Sequence, residues 1–388
     1  MYNLRYYQKE ASDAAVKLFT GKTDKNGLIV IPTGGGKSLI LADIASRLEG
    51  PLLAFQPSKE ILQQNFAKLQ SYGIIDCGCY SASVGCKDIN RITFATIGSV
   101  MNHMSDFDCF KNIIVDEAHY VNSKAGQYKQ FIEAKNRQVV GLTATPYRLD
   151  KCTGGSMLKF LTRTRPRIFS KVIYCCQIGE LLSKGFLATL NYYDLTMIDL
   201  RRVRSNSTGA DYEEKSLIAE YERSGFYDKL SNTVVKVMHP KNGIPRKGIL
   251  VFTAFRKESE VLINKLQLLG IKAEIVTCDT PKKERESILN KFKRGEIKVV
   301  SNCGTLTTGF DYPELDTIIL ARPTKSLALY YQMVGRAIRP STGKEGWIVD
   351  LAGNYRRFGN VADLYIAKPP GTTRWDVYSR GRQLTSIM

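Results

Sequence analysis

The sequence predicts an α/β fold in two tandem domains, each a mainly parallel sheet with helices on both faces. Three observations support this. Short uncharged runs rich in β-branched residues alternate with helical patterns, the alternation lapses over Ser170 to Arg246 and then resumes, and polar groups gather directly after the runs. The expected division is a first domain over 1–170, a connecting segment leading into the second domain over 171–245, the second sheet over 246–368 and a tail over 369–388.

Leu4, Tyr7, Ala11, Ala14, Ala15 and Leu18 recur at helical spacing and predict an amphipathic opening helix, which carries Arg5 and Gln8. Gly27 to Ile31 (GLIVI) then reads as a buried parallel strand. Leu39, Ile40, Ile44, Ala45 and Leu48 return to the helical period, so a helix begins beside Ser38. Further strands are expected at Pro51–Pro57, Arg91–Ile97, Asn112–Ala118 and Val139–Pro146. From Lys247 the pattern repeats, with strands at Gly248–Phe255, Ala273–Thr277, Lys298–Cys303, Thr317–Ala321 and Gly346–Leu351 and helices over Lys257–Leu269 and Lys282–Arg294. Between the domains, helical patterns cover Glu213–Glu222 and Phe226–Met238, while Asp194–Gly209, with Arg201, Arg202 and Arg204, reads as a charged, solvated stretch. The Pro pair after Ala367 predicts an extended arm, in which Trp375, Tyr378, Arg380 and Arg382 have no assigned role.

Composition narrows the class. Lys+Arg 56 against Asp+Glu 37 gives a formal charge of +19, which favours a polyanionic partner such as nucleic acid. No run approaches the length of a membrane span, and the N-terminus lacks an apolar signal core, so an intracellular, cytoplasmic protein is expected. The nine cysteines form no paired CxxC framework; reduced thiols are the expectation, without a zinc site at Cys77, Cys79 and Cys86.

The chemistry concentrates in a few places. Thr33, Gly34, Gly35, Gly36, Lys37 and Ser38 form a glycine-rich turn between strand and helix, where backbone N–H groups and a helix dipole can cradle phosphates. Lys37 would meet the β/γ-phosphates and the Ser38 hydroxyl Mg²⁺, although Ile31 stands where the strict P-loop template has its first glycine. Asp116 and Glu117 end an apolar strand, a place with no solvent reason for a carboxylate; one can hold the Mg²⁺ shell and the other accept a proton from water. The Gln8 amide can both give and take a hydrogen bond, matching the adenine edge, and the Arg5 plane can stack. Arg336 and Arg339, three apart, are expected on one face of a helix, able to stabilise charge on a transferring phosphoryl group. Each of these also has an ordinary reading taken alone: a flexible turn, a helix N-terminus, surface ion pairs.

Their order restricts the choice. The chain resembles a superfamily 2 helicase: LRYYQ looks like the Q motif, PTGGGKS motif I, PSKE motif Ia, ATIGS motif Ib, DEAH motif II, TAT motif III, TTGFD (Thr307–Asp311) motif V and QMVGRAIR motif VI. The combination is most similar to the RadD-like helicases and their phage relatives, and more distantly to UvsW and XPB. The resemblance implies two RecA-like domains and an ATP-hydrolysing enzyme with ATP and Mg²⁺ as cofactors. It places Arg5 and Gln8 on adenine, Thr33 to Ser38 on phosphates and metal, and Asp116 and Glu117 on metal and water. It gives His119, Thr143 and Thr145 a coupling role, and brings Gly309, Asp311, Gln332, Arg336 and Arg339 to the nucleotide from the second domain. Strand contacts would come from Ser58, Lys59, Thr96 and Thr305. RadD itself has a longer C-terminal region with a cysteine-rich metal site, to which this chain has no counterpart after motif VI.

The function expected is an ATP-driven motor that separates, migrates or remodels nucleic acid, DNA that is forked, branched or single-stranded before RNA. An RNA helicase, the motor subunit of a restriction-type complex and a non-hydrolysing ATP-gated clamp are the alternatives. No membrane partner is expected.

Overall fold

A computed structural model describes residues 3–21, 25–134, 137–152, 155–240, 245–307 and 309–385. It contains two compact units: one comprises Met1–Arg148, Leu158–Leu181 and Tyr365–Met388, the other Leu149–Met157 and Leu182–Leu364.

The first unit is built on an eight-stranded sheet, formed by β1 (Gly27–Val30), β2 (Leu52–Phe55), β3 (Cys77–Ser81), β4 (Cys86–Lys87), β5 (Ile92–Ala95), β6 (Asn112–Asp116), β7 (Gln138–Thr143) and, after a separate hairpin β8 (Tyr147–Cys152) and β9 (Gly155–Phe160), by β10 (Lys171–Cys175). Its order is β10-β1-β7-β6-β2-β5-β3-β4, parallel except for the β3/β4 hairpin. Every residue of β1, β2 and β5 is buried, because helices cover both faces; that explains why these strands read as unbroken apolar runs. The covering helices include α1 (Tyr6–Thr20), α2 (Lys37–Arg47), α3 (Lys59–Gln70), α4 (Ile97–Met101) and α5 (Gln127–Ala134). A parallel sheet aims all its strand ends one way, so the polar groups after β1, β2, β5, β6 and β7 share one edge.

The second unit has a six-stranded, all-parallel sheet of order β11-β16-β15-β12-β14-β13. Its strands are β11 (Thr189–Asp194), β12 (Ile249–Thr253), β13 (Ala273–Val276), β14 (Val299–Cys303), β15 (Thr317–Leu320) and β16 (Glu345–Asp350). After α6 (Ile178–Ser183), the helices α7 (Glu214–Ser224), α8 (Phe226–Met238) and α9 (Arg256–Leu268) place Leu217, Tyr221, Phe226, Leu230, Val234, Leu262 and Leu266 in one core with Val251 and Ile319. The helices α10 (Lys282–Lys293), α11 (Leu327–Val334) and α12 (Asn354–Phe358) follow.

Three expectations need correction. The stretch beyond Ser170 is not merely irregular: Lys171–Cys175 and Thr189–Asp194 are edge strands of the two sheets, only half-buried and so without a continuous apolar signature. The chain after Ala367 is not an extended arm. Residues 364–383 form a three-stranded sheet, β17 (Leu364–Ala367), β18 (Asp376–Ser379) and β19 (Arg382–Gln383), pinned by buried Asp376, which accepts from Arg163 Nη1 at 2.5 Å and from the Thr385 hydroxyl at 2.8 Å. Reduced thiols are not found throughout, since the β3/β4 hairpin sets Cys79 and Cys86 with Cα atoms 5.6 Å apart and joined by a disulfide.

Candidate functional site

The site in the first unit starts at the turn after β1. Gly34 and Gly36 both have φ of +82°, a region closed to most side chains, and Gly36 caps α2 in the left-handed conformation. A Cβ on Gly36 would lie 2.4 Å from Gln8 Nε2, and one on Gly35 would lie 2.6 Å from Ile31 Cγ2. The loop therefore has its shape because glycine is present and α1 presses against it. Gln8 is buried on α1, where Nε2 donates to Gly35 O of the loop at 3.0 Å and Oε1 accepts from Arg5 N–H at 2.9 Å. Tyr7 Oη donates to the same Gly35 carbonyl at 3.0 Å.

Lys37 projects from the first position of α2 and meets Glu117 at 2.6 Å, both side chains being about five-sixths buried. Glu117 adopts φ 51°, ψ 53°. It is one of two non-glycine residues with positive φ among the described residues, and it lies where β6 breaks into a turn. Gly141 of the neighbouring β7 makes room for that turn, since a Cβ there would fall 2.7 Å from Ala118 Cβ.

Asp116 is buried at the end of β6, its Oδ1 accepting the Glu117 N–H at 2.9 Å and its Oδ2 the Asn65 amide at 3.1 Å. Burial first, then the adjacent Glu117 charge, raises the Asp116 carboxyl above its ordinary range. Burial also acts to raise Glu117, but the Lys37 charge and a hydrogen bond from His119 outweigh it and hold Glu117 well below the usual carboxylate range.

His119 Nδ1 lies 3.0 Å from Thr145 Oγ1, 3.1 Å from Thr143 Oγ1 and 3.3 Å from Glu117 Oε2. Motif II is thereby tied to the end of β7 through one imidazole. Ser58 caps α3 by accepting from Ile61 N–H, Lys59 Nζ reaches Ser83 O at 2.5 Å, and Thr96 shares hydroxyl contacts with Ser81 and Ser99. These groups follow β2 and β5 on the edge that carries the glycine loop.

Asn65 and Gln56 were not singled out from the sequence. Asn65 Oδ1 accepts from the Ser38 hydroxyl at 2.5 Å, and its amide donates to Gln56 Oε1 at 2.6 Å as well as to Asp116. Gln56 closes the apolar strand β2, the signal that marked Asp116; Asn65, inside a helix, carries no such signal. The buried Gln56 Nε2 has no partner among the described residues.

The remaining candidates belong to the second unit, described by itself. Gly309 has φ 72°, Thr308 lies outside the described residues, and Thr305 Oγ1 donates to Val276 O at 3.4 Å. Arg336 is buried, donating from Nη1 to Phe310 O at 2.7 Å and from Nε to Gln332 O at 3.4 Å. Arg339 forms an ion pair with Asp311. The expectation that Arg336 and Arg339 share a helix face is corrected: α11 ends at Val334, and tight turn bonds from Arg336 N to Met333 O and Ala337 N to Val334 O carry the chain on. Gly335 and Pro340 bracket that turn, and packing against Phe310 and Asp311 gathers the arginines instead.

Residues 1–148 match the family model described as the type III restriction enzyme res subunit, and residues 230–341 the helicase conserved C-terminal domain. The chain is 29% identical over 377 residues to the candidate ATP-dependent helicase IRC3 of Saccharomyces cerevisiae, covering 90% of this chain and 51% of that one. It is 24% identical over 379 residues to the DNA 3'-5' translocase XPB2 of Sulfurisphaera tokodaii, covering 90% and 81%. A DNA-bound type ISP restriction–modification enzyme shares the fold with TM-score 0.67 at 18% identity, over 90% of this chain and 28% of that one. The chain thus spans about half the length of its yeast relative. With a glycine loop, lysine and paired carboxylates on one sheet edge of the first unit, and a helicase C-terminal match over residues 230–341, the chain is similar to the superfamily 2 helicases.

Proposed function

We propose that this protein is an ATP-hydrolysing motor that moves on nucleic acid, with DNA as the favoured substrate. The observation that carries the reading is the Lys37–Glu117 contact of 2.6 Å beside a glycine loop of +82° φ angles. Lys37 leaves Glu117 to meet the β/γ-phosphates, and the carboxylate, released from the charge that held its pKa down, accepts a proton as water attacks. Thr33 to Gly36 offer backbone N–H groups to the phosphates. Gln8 keeps capacity for adenine, since its second amide hydrogen reaches only Tyr7 Oη at 3.5 Å and Oε1 retains a lone pair, with Arg5 beside it.

The Ser38 hydroxyl and the Asp116 carboxylate, linked through Asn65, are the oxygen donors that suit Mg²⁺, and the buried Gln56 Nε2 beside Asn65 is a donor with no partner among the described residues. No cluster of three or more His, Cys, Asp or Glu able to hold a metal occurs among the described residues. Mg²⁺ would supply neutralisation of phosphate charge. Gln332, Arg336, Arg339, Gly309 and Asp311 are assigned to the same reaction from the second unit, His119, Thr143 and Thr145 to coupling, and Ser58, Lys59, Thr96 and Thr305 to strand phosphates.

DNA is favoured because one relative is named a DNA 3'-5' translocase. A restriction-type motor subunit remains a second reading on the res-subunit match over residues 1–148, and would be marked by a stable partner on co-purification. Among the described residues no helix is long and apolar enough to cross a membrane. The deciding experiment measures ATP hydrolysis with single-stranded, duplex and forked DNA and with RNA. Stimulation by DNA, lost in Lys37→Ala, is the expected result; normal hydrolysis by Lys37→Ala would refute the site.

A further inference from the structure

A groove of about 440 Å³ in the first unit lies apart from the site just described. Its lining includes Lys159, Arg163, Arg165, Arg167, Lys171, Lys368 and Arg374, and no carboxylate. It sits at the start of β10: Lys171 pairs with Gly27, the first residue of β1, whereas the phosphate loop follows Val30 at the other end of that strand, roughly 10 Å away at the usual rise. The cations come from two distant parts of the sequence. The short segment between β9 and β10 supplies Arg163 to Arg167, and the C-terminal sheet supplies Lys368 and Arg374, held there by the Arg163–Asp376 ion pair, whose side chains are 9% and 4% exposed.

The buried pair accounts for Arg163; it does not account for the rest. Arg165, Arg167, Lys171, Lys368 and Arg374 are exposed, and no carboxylate among the described residues pairs with them. Arg165 reaches only Thr164 O, at 3.4 Å, and Lys368 sits over the Trp375 ring at 4.9 Å. Like charges gathered within a Debye length of about 8–10 Å repel one another unless an anion neutralises them. By contrast, the arginines of the connecting segment are already paired, Arg201 and Arg202 with Asp199 and Arg204 with Glu213.

We infer that this groove binds the phosphodiester backbone of nucleic acid, as an accessory contact separate from the Lys37 site. The inference rests on the reading of the protein as a nucleic-acid motor. Guanidinium groups suit phosphate oxygens, and several cations in one groove follow a backbone without reading bases. Such a contact would keep the protein on its track when the motor grip is released.

The test uses the full chain, wild type and the triple variant Arg165→Gln, Arg167→Gln, Arg374→Gln, with fluorescent single-stranded and duplex DNA titrated across salt. The triple variant should bind at least one of them about tenfold more weakly near 100 mM salt, with the slope of log affinity against log salt reduced by about 2–3. The arm that responds identifies the bound form. ATP hydrolysis without nucleic acid should be unchanged, and an unchanged melting temperature shows that these exposed substitutions leave the fold intact. The control variant Arg201→Gln, Arg202→Gln, Arg204→Gln removes the same charge elsewhere. Triple-variant binding equal to wild type, or no weaker than the control, overturns the groove while leaving the motor reading in place. Wild-type protein that binds neither DNA would instead overturn the nucleic-acid reading itself.

Discussion

Lys37 and Glu117 meet in a space too enclosed for either charge to rely on water. Replacing Lys37 with Met should destabilise the protein by about 3 kcal/mol, because Glu117 is left as an uncompensated charge in a mostly buried place. Adding Glu117→Gln to Lys37→Met should return most of that stability in denaturant titration yet leave the enzyme inactive. Glu117→Gln alone should bind nucleotide but lower turnover by about 10²- to 10⁴-fold, as expected for loss of a general base, measured by steady-state hydrolysis. Equal turnover in Glu117→Gln would place the base elsewhere.

At the scale of elements, two buried carboxylates hold pieces together in opposite ways. Glu258 opens α9 by accepting the Phe255 N–H at 2.5 Å, and burial pushes its carboxyl up to about 8. A raised folded-state pKa means the folded form holds its proton longer than the unfolded chain does. Its contribution is therefore complete below the ordinary glutamate range and is lost as pH rises through about 8. Thermal melts should show stability falling between these limits, and Glu258→Gln should flatten that dependence; an unchanged profile would exclude Glu258 as its source. Asp376 works as a partner rather than a lone acid, binding Arg163 and Thr385 at the C-terminal sheet. Asp376→Ala should cost about 3 kcal/mol or more through the stranded Arg163 charge. Limited proteolysis should then cut the chain beyond Ala367 sooner than in the wild type.

For the molecule as a whole, the proposed hydrolysis assigns charge from the second unit to a reaction whose proposed phosphate loop lies in the first. Arg336→Lys keeps a positive charge but loses the planar fork that now holds Phe310 O. DNA-stimulated hydrolysis should drop on the order of 10³-fold, in the range of known arginine contributions to phosphoryl transfer, while nucleotide binding measured separately persists. A variant with unimpaired turnover would remove Arg336 from the reaction.

The sequence by itself determined the two-sheet α/β class, the glycine turn after β1 and the DE pair at the end of β6, because these rest on local rules: fully buried strands must be apolar, a backbone at positive φ favours glycine, and a carboxylate ending such a strand needs a purpose. Tertiary structure decided what local rules cannot reach. Asn65 joins Ser38 to Asp116 only once α3 packs beside β6, and Gln8 acts on Gly35 only because α1 lies against the loop. The half-buried edge strands β10 and β11 were hidden because their neighbours, not their own residues, make them strands. Arg374 and Arg165 are about two hundred positions apart in the chain, and only the folding of the C-terminal sheet onto the first unit sets their charges in one groove.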